Sequence, residues 1–465
     1  MHDHAHSVLP LVRCFLRPIQ CFLMPFAVGL VGWWANPALS AQVEEAWTVQ
    51  QAVPAATGHE IGALTTDSIG NLYVAAHSYF PTSKWDWVLT KYSPPGAPLW
   101  QTRFVAGLDN DFASAIAVQA AGVFIAGSSR NENGHNDFLT VKYSTTGTME
   151  WARRYNGAAG NSDNAVAVAV VADAAGNVIA GGNSAGPTRA SDFAVVKYDS
   201  AGNQLWTFRY DGPGQGADIL VGMKMDAQGN IYLAGTSSDV GGVSAIVTLK
   251  LDSDGQQLWA ARFLPTSDAW QTVARSLALD GAGNVITVGD VDSDFITLKY
   301  GPEGGLVWLA RYHAEEPADV STVDVRVDRS NNVVTAGNLY GSGINDAVLV
   351  KYDANGQQLW TTRIIHPLHP FHLSAIAMDA EDNTYLTGTP YNDALTVKVA
   401  ADGNQLWRVD YNSSDLLYDY GEAITVDGAG NVFIAGRTLY VTERYVSIVK
   451  YRQTALAGAP RVSVT

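Results

Sequence analysis

Short apolar runs broken by Gly and Asn recur along the whole chain. An alternating stretch such as Ala113-Ser114-Ala115-Ile116-Ala117-Val118 leads to a turn, at Gly70-Asn71, Gly176-Asn177, Gly229-Asn230, Gly283-Asn284 or Gly430-Asn431. Asn331-Asn332 and Asp382-Asn383 occupy the same place, and these residue types tolerate the positive φ of tight hairpins. A second run of the form Val432-Phe433-Ile434-Ala435-Gly436 follows, and then a loop of variable length. A third run ends on Lys-Tyr, as in Asp137 to Tyr143, and a second Gly turn leads to Leu-Trp-x-x-Arg, as in Leu359 to Arg363. The pattern predicts four short strands per unit and no helix.

The unit repeats at intervals of roughly 50 residues. Its Trp stands at Trp47, Trp100, Trp151, Trp206, Trp259, Trp308, Trp360 and Trp407, and its Lys at Lys91, Lys142, Lys197, Lys250, Lys299, Lys351, Lys398 and Lys450. Four strands repeated eight times predict an all-β, eight-bladed β-propeller of antiparallel blades. Trp47 has no Lys-Tyr run before it, and Lys450-Tyr451 has no Trp run after it. The N-terminal strand is therefore expected to complete the last blade and close the ring, which removes a frayed edge. The repeated Trp, the fourth-strand Arg (Arg103, Arg154, Arg209, Arg262, Arg311, Arg363) and the Asp before the third strand (Asp86, Asp137, Asp192, Asp294, Asp346, Asp393) read as structural, because a single site needs only one copy of each.

The combination Asp-x-x-Gly-Asn, Asp-Phe-x-x-x-Lys-Tyr and Gly-Asn-x-Leu-Trp resembles the bacterial SBBP-type β-propeller repeats, from Trp47 to Tyr451. Asp173 to Tyr210 and Asp427 to Tyr451 are the best copies; the second unit departs, with Gln119-Ala120-Ala121-Gly122-Val123 in place of the first turn. The resemblance implies an exported bacterial propeller and carries over no catalytic residue.

Arg13 and Arg17 ahead of an apolar stretch from Phe22 to Trp34, with small residues at Ala38 to Ala41, read as a cleaved signal peptide over residues 1–41. The expected organisation is that segment, a propeller over 42–452 and a short tail over 453–465, with the product secreted or periplasmic and not inserted in a membrane. Both cysteines, Cys14 and Cys21, lie in the leader, so no disulfide is expected. Without Arg13, Arg17 and Asp3, the 29 basic and 45 acidic side chains become 27 and 44, a formal charge of −17. Such a field disfavours nucleic acid and anionic membranes as partners.

Candidate chemistry is sparse. Loops between second and third strands and loops between blades fall on one side of the disc, and that face is the expected ligand side. Its most distinctive segment, His366-Pro367-Leu368-His369-Pro370-Phe371-His372, suggests a metal site. The prolines instead predict an extended path with successive His about 9 Å apart, too far to share one ion without a turn. Trp85 and Trp87, two apart on a strand, could share a face and offer an aromatic surface. Asp290-Val291-Asp292-Ser293-Asp294 lacks the Gly and acidic residue of a calcium loop, with Phe295 and Gly301 there instead. Neither a G-x-S-x-G nor an H-E-x-x-H motif occurs. Quinone-dependent dehydrogenases also have eight blades, but with a different repeat and often adjacent cysteines. No catalytic residue, metal or cofactor is predicted. Trp85, His366, His369 and His372 are the loop-face candidates for binding. The expected function is a non-catalytic module that holds a protein, peptide or glycan at the cell envelope. The rival is an envelope glycan hydrolase or lyase near the central channel, for which a non-repeating cluster of acids, His or Tyr would be the signature. A purely structural module is the third reading.

Overall fold

Each copy of the repeat folds as four antiparallel strands, and its first turn shows why. Asp67 Oδ1 accepts from the backbone N–H groups of Ile69 and Asn71, and its Oδ2 accepts from the Asn71 amide at 2.7 Å. This side-chain clamp favours the turn over any helical continuation. Asp173, Asp226, Asp280, Asp328, Asp379 and Asp427 repeat it. The second unit, which lacks the Asp, makes a tighter hairpin in which Gln119 pairs with Gly122.

The computed structural model describes residues 43–453 apart from 52, 107–108, 158–165, 187–189, 266–268, 270, 315–317, 342–343, 414–417 and 441–442. The expected signal segment and residues 454–465 lie outside the described residues. Blades 1 to 7 span 58–104, 111–155, 166–210, 218–263, 272–313, 318–364 and 371–411. Blade 8 combines 418–453 with the N-terminal strand Val43–Gln51, which pairs antiparallel with Glu443–Gln453. Gln453, placed in the tail by sequence, is thus the last residue of a strand. The first strands pack each on the next from blade 1 through blade 8 and back to blade 1. The protein is an eight-bladed β-propeller, and no helix occurs among the described residues.

Each first strand carries a bulge, at Gly62, Ser114, Val168, Val221, Arg275, Val323 and Ser374. In blade 8 the strand breaks at the same point into Tyr418–Asp419 and Ala423–Val426, and Glu422 holds the bulge position. A bulge leaves neighbouring backbone groups unpaired within its own blade. A polar residue on the second strand of the preceding blade takes them up: Asn183 binds Leu220 N–H at 2.7 Å, Thr236 Ala274, Asp290 Thr322, and Asn338 Leu373.

The repeated Trp and Lys form a latch between blades. Trp206 Nε1 and Lys197 Nζ of blade 3 both donate to the Ser253 carbonyl in the outer turn of blade 4, at 3.1 and 2.9 Å. Trp151 and Lys142 share Ser200, Trp259 and Lys250 share Pro302, Trp308 and Lys299 share Ala354, and Trp360 and Lys351 share Ala401. The indole lies on the turn glycine: a Cβ on Gly255, at φ +81°, would stand 2.7 Å from the Trp206 ring. Trp47 and Lys450 close the ring through the same latch, onto the Pro94 carbonyl of blade 1 at 3.0 and 2.9 Å. Where a blade carries both, the fourth-strand Arg binds the repeat Asp, as Arg209 binds Asp192 at 2.8 Å and Arg363 binds Asp346 at 2.6 Å; in blade 4, which lacks that Asp, Arg262 pairs with Asp239 at 3.4 Å.

Candidate functional site at the channel mouth

Two blades break the pattern that serves the bulges, and they meet where the ring closes. The second-strand polar column reads His77, Ser128, Asn183, Thr236, Asp290, Asn338, Thr389 and Arg437 around the molecule. In blades 1 and 8 it presents His77 and Arg437, which bind carboxylates, whereas the ionisable group of blade 5, Asp290, binds Arg275 at 2.8 Å and still serves the bulge of blade 6. Arg437 Nε donates to Glu422 Oε1 at 2.6 Å, and its Nη1 lies 3.9 Å from Glu60 Oε1. His77 Nε2 is 3.3 Å from Glu60 Oε2, and Arg444 Nη1 donates to Glu60 Oε1 at 2.6 Å. Arg437 also lies over the Tyr420 ring. Glycine makes room for this crossing: a Cβ on Gly436 would fall 1.6 Å from the Tyr420 carbonyl oxygen, and one on Gly421 2.3 Å from Thr387 Oγ1.

The cluster borders a cavity of about 550 Å³ in the central channel, walled by blades 6, 7, 8 and 1. Its lining follows two columns of the first strands. Glu60, Ser321 and His372 precede the bulge, while Gly62, Val323, Ser374 and Glu422 occupy it. First strands begin at the blade-to-blade loops, so this end of the channel opens on the loop face. The two carboxyls differ in acidity. The His77 hydrogen bond, aided by nearby Arg437 and Arg444, holds Glu60 below the usual glutamate range, and burial raises Glu422 despite Arg437.

His372 is on the strand Phe371–Met378, lines this cavity and packs near Tyr340. Trp85 stands one layer behind, with its ring 5.6 Å from that of His77 and 6.2 Å from that of Phe112. Trp87 is buried against Phe104 in its own blade, so the two Trp make no common exposed surface. The His loop does not run extended as the prolines predict. His366 Nδ1 accepts from the N–H groups of Leu368 and His369, which closes a turn and stacks the His366 and His369 rings 5.4 Å apart. His369 stacks in turn on Tyr391, and His366 Nε2 is 3.5 Å from Asp410. Burial lowers the His366 pKa. His366 and His369 therefore form a stack at the blade 7 loops, and His372 belongs to the channel. The aspartates of 290–294 also serve separate partners, with Asp290 on Thr322 and Arg275 and Asp294 on Arg311.

Sequence reading missed Glu60, His77, Glu422, Arg437 and Arg444. The signal lies in the columns of the repeat: Glu422 and Arg275 are the charged residues of the bulge column, and Arg437 stands where Ser128, Asn183, Thr236, Asn338 and Thr389 are uncharged.

No family model and no curated protein matches the chain. Among solved structures it is similar to the WD40 domain of SCAP from fission yeast, with TM-score 0.47 and 8% identity over 88% of this chain and 97% of that one. An ulvan lyase of a polysaccharide lyase family gives TM-score 0.44 and 11% identity over 72% and 90% of the two chains. A catalytically inactive virginiamycin B lyase from Staphylococcus aureus, crystallised with quinupristin, gives 0.42 and 9% over 87% and 98%. At such identities these likenesses concern the fold alone.

Proposed function

We propose that the chain is an exported binding propeller of the SBBP repeat type that holds a glycan, peptide or protein segment at the channel mouth, at the cell envelope. The observation that carries this reading is the cavity onto which Glu60, Glu422 and Arg437 converge from blades 1 and 8. Concave polar sites with a few convergent charged groups are the usual setting for a small ligand or an inserted segment. Mixed charges, two carboxylates beside two guanidiniums, favour a ligand rich in hydroxyl and amide groups over a polyanion.

Glycan cleavage is the second reading, favoured by one observation: two carboxyls in one cavity are shifted in opposite directions, the pattern of an acid paired with a base or nucleophile. Binding ranks first because Glu422 is engaged by Arg437 at 2.6 Å. A general acid must be free to deliver its proton to the leaving group.

The test is a screen of glycans and envelope extracts on purified residues 42–465, with mass spectrometry of every ligand after incubation. Retained and unaltered ligand, bound at least about tenfold more weakly by Arg437→Ala, is the expected result. Conversion to smaller products, abolished by Glu422→Gln, would replace the binding reading with the lyase or hydrolase reading. Ligand held equally well by Arg437→Ala would remove the channel mouth as the site.

A further inference from the structure

We propose that Asp192, Asp211 and Asp218 form a site for a divalent cation of the calcium class on the loop face, where blade 3 passes to blade 4. Each offers an oxygen, and the three oxygens lie within 4.8 Å of one another. Ligands on opposite sides of a calcium ion, each about 2.4 Å from it, stand about that far apart.

Asp218 opens the first strand of its blade, as Asp111 does in blade 2 and Asp419 in blade 8. In all three, one carboxylate oxygen accepts from a backbone N–H of the preceding loop: Ala106 for Asp111, Gly212 for Asp218 and Ser413 for Asp419. The other oxygen of Asp111 accepts from the Ser129 hydroxyl, and that of Asp419 from the Thr438 hydroxyl. Ser237 stands at the same place beside Asp218, but its hydroxyl donates to the Ser238 carbonyl and accepts from Arg262, and Asp218 Oδ1 has no hydrogen bond of normal geometry although the residue is fully buried. Asp192 is the repeat Asp of its blade, and its Oδ2 accepts from Arg209 at 2.8 Å. Its counterpart Asp137 has a donor on the remaining oxygen, from Asn131 at 3.0 Å, whereas the buried Asp192 Oδ1 has none; Asp86 Oδ1 in blade 1 is likewise unpaired, but among the described residues it is at Asp192 that two further carboxylates converge.

Two buried carboxylate oxygens without donors thus stand beside a third, exposed carboxylate. An unsatisfied buried acceptor costs about 1–3 kcal/mol, and a hard cation with oxygen ligands would satisfy both at once. Arg209 neutralises part of the charge on Asp192 but donates to the opposite oxygen. Burial raises the Asp192 and Asp218 carboxyls, and the charge of Asp211 raises each further. Bound cation would reverse that repulsion. Gly212 and Gly186 fit the setting: a Cβ on Gly212 would stand 2.8 Å from Asp218 Oδ1, and one on Gly186 2.3 Å from Asp192 Oδ2.

The test titrates the purified, chelator-treated protein with calcium chloride by calorimetry, in parallel with its Asp211→Asn variant. Asp211 is exposed and holds no structural bond like those of its two neighbours, so this change should leave folding intact. One ion per chain, a higher thermal midpoint with calcium, and at least tenfold weaker binding by Asp211→Asn (roughly the loss of one ligand charge) are expected. Glu132→Gln, an exposed acid on another blade, should bind as the parent does. No heat and no thermal shift with calcium, magnesium or manganese at millimolar concentration would overturn the proposal, as would binding unchanged in Asp211→Asn.

Discussion

At the residue scale, the Trp of the repeat does two jobs that can be separated. Its ring covers the next blade's turn glycine, and its N–H ties that turn's carbonyl. Trp407 has neither partner, and its ring packs instead against Tyr385 and Tyr451. The outer turn that would receive it is replaced by the gap between the chain ends, and its buried Nε1 has no acceptor. Gln453 fills part of that gap, accepting from Lys398 and donating to the Gly430 carbonyl at 2.8 Å. Both Trp308→Phe and Trp407→Phe lose ring area, but only the former loses a hydrogen bond, to Ala354 at 2.9 Å. Trp308→Phe should therefore be the more destabilising change by about 1–3 kcal/mol, read from urea midpoints with slopes compared. Equal losses would mean the indole N–H contributes nothing to the latch.

The strands explain why the channel mouth is charged on one side. First strands begin at the loop face, and at the bulge position most blades place Ser, Val or Gly, whereas the position two before it varies, with Glu60, Phe112, Val166, Ile219, Val273, Ser321 and His372. Glu60 and Glu422 enter from the two strands that meet at the closure, and Arg437 stands between them. The Glu60 carboxyl is depressed, so its contribution to stability is fully present above the ordinary glutamate pKa of 4.5 and is lost as pH falls through the lower folded value. Glu422 is raised, so the opposite sign holds: its ionisation weakens the fold as pH rises from 4.5 through its higher folded value. Glu60→Gln should be less stable than the parent at neutral pH, and the gap should close as pH falls below about 4.5. Denaturation series at several pH values would read this; a gap independent of pH would mean that Glu60 is not held by His77 and Arg444.

For the whole molecule, the closing strand is the decisive element. Val43–Gln51 contributes the outer edge of blade 8 and the Trp47 latch onto blade 1. Deletion of residues 43–51 should cost about 4 kcal/mol or more, the scale of burying one Trp. Hydrogen exchange should then rise first in Glu443–Gln453 and in the outer turn of blade 1. An unchanged thermal midpoint with unchanged protection would show that the ring is held by other contacts.

Blade number, strand order and mode of closure were legible in the chain because every copy spells the same local chemistry: an Asp-clamped turn, a Lys-Tyr strand end, a Trp beside a turn Gly. Repetition makes such signals redundant, so the departures at Gln119 to Val123 altered one hairpin and left the ring intact. Trp85 and His372 could be singled out as unusual, but their separate positions, behind His77 and on the cavity wall, could not be read. The turn that stacks His366 on His369 also contradicted the extended path, because two backbone N–H groups found an acceptor in His366 Nδ1. The sequence by itself determined a four-strand unit, its eightfold repetition and the pairing of the chain's two ends. Tertiary structure alone decided that Glu60 would meet Arg444, and that Asp192, Asp211 and Asp218 would converge. Those encounters depend on how adjacent blades curve against one another, whereas a repeat pattern records what the blades share.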